Sequence, residues 1–331
     1  MLITGGAGFI GSHLASALVR HGCKVTLLDN LNDFYAPELK KANLAEIGRA
    51  GDFDFVLGDI CDRATVRDIS ARLRPAALVH FAARAGVRPS VDNPAVYYET
   101  NVMGTAHLLE ACRDFKVPKV VFASSSSVYG TLSAAPFRED TLLLSPASPY
   151  AATKLAGEAM LHSFVNCYGL QGVALRFFTV YGPRQRPDLA INKFVRLIRN
   201  DERIQLFGDG SSARDYTWVG DIVSGVLAAM AYEPPNGYDV FNLGSSRPIS
   251  LDEMLGLIEE AMGKRANRQY TDRAVGDMTV TCADIAKAEG ILGYHPTTAI
   301  AEGIRRFVAW ALQQNAPMPR TSVVEGCGAA T

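Results

Sequence analysis

Tyr150 and Lys154 stand four residues apart in "SPYAATKLAGEAM", where Pro149 suits a first helical turn, so a helix there presents phenol and ammonium on one face. A phenol titrates near 10, and acting as a base near neutrality requires a shift of about three units, roughly 4 kcal/mol. Such spacing also arises by chance on surface helices. It gains meaning from a second feature, the loop "ITGGAGFIGSHLA", in which Gly5, Gly8 and Gly11 form a GxxGxxG pattern between a strand-like run and a helix. Glycines permit a tight turn and close approach to a pyrophosphate, whose charge then rests on the N–H groups of the helix N-terminus. Eighteen residues past Gly11, Asp29 ends the second apolar run, placed to accept hydrogen bonds from adenosine ribose hydroxyls. The same carboxylate repels a 2′-phosphate, which favours NAD over NADP. An ammonium one turn away and an oxidised nicotinamide together can shift the phenol in a partly dry cleft.

Those groups need a scaffold to hold them. Short runs rich in β-branched residues, at 24–29, 53–59, 76–83, 119–126 and 172–180, alternate with helical patterns at 9–21, 37–49, 64–73, 93–115 and 150–167. This predicts an α/β fold of Rossmann type, a doubly wound parallel sheet with a smaller, mixed C-terminal substrate lobe. Residues 1–170 read as the dinucleotide domain, to which segments around 215–243 return. Residues 171–312, with loops such as "YGPRQRPD" and "FGDGSSARDY", read as the substrate lobe, and 313–331 as an aperiodic tail.

Bulk properties remove other classes. The 331 residues are 48% hydrophobic and carry a formal net charge of -1 without a basic block, so a nucleic-acid footprint is not expected. Six cysteines show no metal-ligand spacing, the histidines do not cluster, and no metal is expected. No apolar stretch nears the roughly 20 residues of a membrane span, and the glycine-broken start lacks a basic leader region. A cytoplasmic location is the expectation.

Taken in chain order, "TGGAGFIG", "GDI" (58–60), "HFAA" (80–83), "TNVMGT" (100–105), "SSSSVYG" (124–130), "YAATK", "RFFTVYGP" (176–183), "RDYTWVGDI" (214–222) and "RAVGD" (273–277) resemble the extended short-chain dehydrogenases/reductases. Within that group the likeness is to the nucleotide-sugar epimerases and dehydratases, over about residues 1–312. The resemblance implies that Gly5, Gly8, Phe9, Ile10, Gly11, Asp29, Asn30, Asp59, Ile60, Ala82, Ala83 and Asn101 serve NAD. It implies Tyr150 as base, Lys154 as the residue that orients the nicotinamide ribose and lowers the phenol pKa, and Ser125 as a hydroxyl shared with the sugar. Arg214 and Arg273 match the clamp on the nucleotide diphosphate, with Asn192, Gln205 and Phe207 among the other nucleotide-sugar contacts. A homodimer through helices 93–115 and 150–167 is also implied.

Related dehydratases place Asp and Glu after the catalytic hydroxyl, and related decarboxylases place a Glu at the second of those positions. Here Ser126 and Ser127 stand there, without useful acid–base range. The residue pattern therefore suits C4 oxidation followed by hydride return, a 4-epimerisation of a UDP-sugar. "ARAGVRPSVDNPAVY", "FFTVYGPRQRPD" and "DNLNDFYAPELKKANL" resemble the UDP-glucuronate 4-epimerase branch, and Arg88, Ser126, Ser127, Thr179 and Arg186 are candidate holders of a C6 carboxylate. Arg88 and Arg186 could equally be surface or diphosphate-facing residues. A UDP-glucose or UDP-N-acetylglucosamine 4-epimerase is the alternative, and a non-catalytic NAD-binding protein would have no need of Tyr150, Lys154 and Ser125.

Overall fold

In the computed structural model, which describes residues 1–131, 135–143, 145–272 and 280–314, seven strands form one wholly parallel sheet. In chain order the strands are β1 (Leu2–Thr4), β2 (Thr26–Asp29), β3 (Asp54–Leu57), β4 (Leu78–His80), β5 (Lys119–Ser125), β6 (Gln171–Phe177), β7 (Thr179–Tyr181), β8 (Arg203–Phe207), β9 (Ala213–Trp218), β10 (Tyr238–Leu243), β11 (Pro248–Ser250) and β12 (Asn267–Thr271). The large sheet runs β10-β6-β5-β4-β1-β2-β3, so strand order reverses between β1 and β4. A crevice opens beyond the carboxyl ends of the strands at such a reversal.

Successive strand residues face opposite sides, and the buried pairs show it. Ile3, Leu27, Val79 and Val121 pack beneath the helices Phe9–Arg20 and Val219–Ala231. Their neighbours Leu2, Leu28, Leu78 and Val120 pack beneath Arg63–Leu73, Gly104–Phe115 and Pro149–Tyr168. Continuous apolar runs are what a sheet covered on both faces demands. A third core, with Ile191, Phe194, Ile204, Leu206, Leu255 and Phe307, belongs to the lobe that carries the sheets β11-β9-β7 and β12-β8. The chain crosses back when β10 pairs with β6, Phe241 opposite Leu175.

Two predicted elements are divided in the structure. The run 172–180 breaks at Phe178: β6 stays in the large sheet, while β7 leaves to pair with β9 in the lobe. The break is stabilised because the Phe178 amide donates to the Leu243 carbonyl at 3.1 Å and its ring is buried. The run 93–115 is composite, with an α turn Pro94–Tyr97, a π-helical turn Tyr98–Met103 and the α-helix Gly104–Phe115. Thr105 Oγ1 donates to the Asn101 carbonyl at 2.6 Å, stabilising that turn, and Gly104 lies so near Ile60 that a β-carbon would sit 2.6 Å from it. A π turn inside a helix often marks a functional position, and this one carries Asn101.

Candidate active site

The strand ends and the lobe enclose a cavity of about 490 Å³. Gly5, Gly8, Phe9, Ile10 and Gly11 form one wall. Gly5 has φ +67, and a β-carbon there would meet the Ala82 amide nitrogen at 2.7 Å; one on Gly11 would meet the Gly5 carbonyl oxygen at 2.3 Å. The helix Phe9–Arg20 starts at Gly8 with no side-chain cap, so its N-terminal dipole faces the cavity without a resident acceptor. An open, glycine-lined helix start fits a dinucleotide pyrophosphate.

Farther along, Asp29 accepts from the Ala7 amide at 3.1 Å and the Leu31 amide at 2.9 Å, which fixes the carboxylate on the cavity wall. Asn30 Nδ2 donates to Asp59 Oδ2 at 2.8 Å, and the Cys61 amide donates to Asp59 Oδ1 at 2.8 Å. Burial opposes ionisation of Asp59, yet the donors at Cys61 and Asn30 outweigh it and hold the carboxyl below its usual range. Ile60, Ala82 and Ala83 complete this side.

Tyr150 and Lys154 project from the helix Pro149–Tyr168, started by Pro149 and by Ser148 Oγ accepting from the Ala151 amide at 3.1 Å. Both line the cavity, as do Ser125, Ser126, Ser127, Thr179 and Arg186. The Tyr150 ring stands edge-on to Tyr97, centroids 6.3 Å apart. Burial raises the phenol above its ordinary pKa, opposed by a hydrogen bond from Ser125 and the field of Arg186. Burial brings Lys154 itself down to about 8, with Glu158 opposing.

The four serines divide between scaffold and site. Ser124 donates to Glu158, whose carboxylate is held by Arg176 at 2.9 and 2.8 Å. Arg176 also donates to the Tyr129 hydroxyl at 3.0 Å, which donates to Asn242 Oδ1 at 2.7 Å. This buried network fixes the end of β5. Ser125 Oγ accepts from the Ser127 amide at 3.2 Å, capping the turn Ser126–Tyr129, and all four serines border the cavity, Ser124 with its hydroxyl committed to Glu158.

Six candidate residues sit elsewhere. Asn101 is not on the wall: its Oδ1 accepts from the Arg84 amide at 2.7 Å, and its Nδ2 donates to the Arg84 carbonyl at 2.9 Å and Thr153 Oγ1 at 2.9 Å. Both Nδ2 donors and one Oδ1 bond clamp Arg84 to the Tyr150 helix. Asn192 Nδ2 donates to the Gln185 carbonyl at 2.6 Å, which turns the amide inward. Arg88 is not among the lining residues and holds its guanidinium 4.9 Å from the centroid of the Phe207 ring. Gln205 and Phe207 lie on β8, and Arg214 on β9 donates to the Ala213 carbonyl at 2.9 Å. Arg273 is outside the described residues.

The wall also includes Phe34, Tyr35, Lys40, Arg84, Thr100 and Phe81, which lie within the quoted motifs but were not singled out as site residues. A signal existed for Lys40, because it shares one helical face with Asn43 and Ile47, both buried. Among the described residues no group of His, Cys, Asp and Glu gathers as a metal site. Among them, no helix is long and apolar enough to cross a membrane.

A parallel sheet with a dinucleotide crevice and a Tyr–Lys pair defines the class, and a family model confirms it. Residues 2–307 match the GDP-mannose 4,6 dehydratase family, and the chain belongs to it. Within that family, the chain is 42% identical over 311 residues to a UDP-glucuronate 4-epimerase of Thermodesulfobacterium geofontis, covering 94% of this chain and 95% of that protein. Its structure is similar to UDP-glucuronic acid 4-epimerase from Bacillus cereus in complex with UDP-glucuronic acid and NAD, with TM-score 0.88, 35% identity and coverage of 94% and 98%. It is also similar to UDP-glucose 4-epimerase of Thermotoga maritima with UDP-glucose, at TM-score 0.85, 33% identity and coverage of 93% and 97%.

Proposed function

We propose that this protein is an NAD-dependent UDP-sugar 4-epimerase that interconverts UDP-glucuronate and UDP-galacturonate. One observation carries the choice of reaction. Among the described residues lining the cavity, the carboxylates are Asp29 and Asp59, both at the dinucleotide end, and Ser126 and Ser127 occupy the wall near Tyr150. Elimination or decarboxylation assisted by a carboxylate lacks its acid and base there. The relatives that act on UDP-glucuronate support the sugar.

Bound NAD supplies the acceptor and donor of hydride at sugar C4. Tyr150 Oη takes the proton of the C4 hydroxyl and later returns it, and Ser125 Oγ hydrogen-bonds the same oxygen. Lys154 keeps a cation beneath the phenol, its Nζ within 6.0 Å of the ring centroid. Arg186, with Ser126, Ser127 and Thr179, meets the C6 carboxylate through charge-assisted and hydroxyl hydrogen bonds. That grip also matters chemically. A 4-keto glucuronate is a β-keto acid, and it keeps its carboxylate only while the C5–carboxylate bond stays near the carbonyl plane.

Purified protein incubated with UDP-glucuronate should yield UDP-galacturonate without net NADH, followed by NMR. Conversion of UDP-glucose alone would reject the carboxylate assignment. Nucleotide-sugar binding by 171–312, with Arg214 and Arg273 on the diphosphate, belongs to the same proposal. So do a cytoplasmic location and a homodimer, the latter supported by exposed Val91, Tyr98 and Met103 on the segment before and within the composite helix. Sedimentation of a single 36-kDa-sized species would refute the dimer.

A further inference from the structure

Arg186 reaches the cavity from the segment 182–189, which joins β7 to the helix Ala190–Arg199. Its fork is held by Asp188, but Asp188 belongs to the same segment. That pair sets the guanidinium relative to its own loop and leaves the place of the loop to other contacts. Two of these cross to the helix Phe9–Arg20, whose open start lies on the cavity wall. His13 Nε2 donates to the Pro183 carbonyl at 2.8 Å. Arg184 Nη1 donates to the Ser12 carbonyl at 3.1 Å and to Ser16 Oγ at 3.2 Å. Both acceptors are neutral, and the charges of Glu46 and Arg20 act on Arg184 through their fields. Arg184 itself adopts φ +64, uncommon for a residue with a β-carbon, and such a conformation persists where its surroundings over-determine it. On either side the segment is equally constrained. A β-carbon on Gly182 would meet Val219 at 2.5 Å, and the buried Gln185 donates through Nε2 to the Val180 carbonyl at 3.0 Å.

On the reading that Arg186 holds the sugar carboxylate, we propose that Arg184 is its positioning residue. By pinning the segment 182–189 to the helix Phe9–Arg20, with His13 as a second pin, Arg184 sets where the Arg186 fork stands in the cavity. Arg184 does not line the cavity and acts through the backbone it holds. Charge-assisted hydrogen bonds depend on geometry, so a shift of the segment weakens the grip on the carboxylate. The helix that offers its N-terminus to the cofactor diphosphate thereby also carries the arm that reaches the sugar. Both ends of the reacting pair are referenced to one rigid element.

Arg184→Asn tests this, because asparagine tolerates the left-handed conformation and is too short to reach Ser12 and Ser16. KM for UDP-glucuronate should rise about tenfold, with kcat changed less than KM, and with NAD content and inhibition by UDP as in the parent. In an Arg186→Gln background the same change should add nothing, since a residue that acts through Arg186 has no further effect once that side chain is gone. An unchanged KM in Arg184→Asn overturns the proposal, and so does a rise as large in the Arg186→Gln background as in the parent. An unchanged KM in Arg186→Gln alone would remove the carboxylate reading and this role with it, whereas a normal loss there beside none in Arg184→Asn removes this role only. Should Arg184→Asn fail to fold, Ser16→Ala, which deletes one of the two acceptors, decides. It should raise KM about threefold in the parent and not at all in Arg186→Gln, and any other pattern overturns the proposal.

Discussion

Lys154 and Tyr150 share a helical face, yet the ammonium is anchored elsewhere: Lys154 Nζ donates to the Ala123 carbonyl at 2.6 Å and lies 6.0 Å from the phenol centroid. In the proposed reaction the lysine keeps its charge beside the phenol and meets the cofactor ribose through its remaining donors. A buried ammonium lowered to about 8 still carries its charge through most of the neutral range.

Tyr150→Phe should reduce kcat by about 10³-fold or more, in the range of lost general-base catalysis, and leave the NAD content of the purified protein intact. Turnover by NMR and cofactor release on denaturation measure the two. Unchanged turnover would place the base on another residue.

Arg186 is already held by Asp188 through paired hydrogen bonds at 3.0 and 2.8 Å, so its fork is oriented before substrate arrives. Arg186→Gln should raise KM for UDP-glucuronate about tenfold to a hundredfold, the worth of a charge-assisted hydrogen bond, and leave inhibition by UDP unchanged. An equal loss of UDP affinity would assign Arg186 to the diphosphate.

Glu158 and Arg176 are both buried, and Ser124 hangs from their network. Glu158→Gln leaves Arg176 without its charge partner and should lower unfolding free energy by about 3 kcal/mol in a urea titration. Because Ser124 precedes Ser125, kcat should fall as well, with NAD affinity retained. A variant as stable as the parent would show that the pair contributes no net stability.

His13 Nε2 donates to the Pro183 carbonyl at 2.8 Å, and burial, with Arg184 beside it, lowers the imidazole pKa to about 4. The unfolded chain binds this proton near 6.5, so between pH 6.5 and 4 the unfolded state holds more protons and stability falls as pH falls. Partial exposure reduces the full linkage to about 2 kcal/mol. His13→Gln should flatten the acid side of the stability profile by that amount. A profile parallel to the parent's would mean that His13 titrates normally.

The alternation of β-branched runs with helical periods was enough to read the doubly wound sheet, because a parallel sheet buried on both faces leaves an unmistakable hydrophobic pattern. The glycine loop, Asp29, Tyr150 and Lys154 were legible for a related reason: local backbone geometry and one-turn spacing impose those residue types in sequence. Tertiary structure alone decided what the serines face. Ser124 and Ser125 are chain neighbours that both border the cavity, but pleating sends the Ser124 hydroxyl to Glu158 and leaves the Ser125 hydroxyl to cap the turn Ser126–Tyr129. It also joined Asn101 to Arg84 and Thr153, residues 17 and 52 positions away. Lys40 became a cavity residue only when the helix Pro37–Ala50 packed against the Phe9–Arg20 helix and the end of β2. Such contacts join segments far apart in the chain, where spacing carries no trace of them.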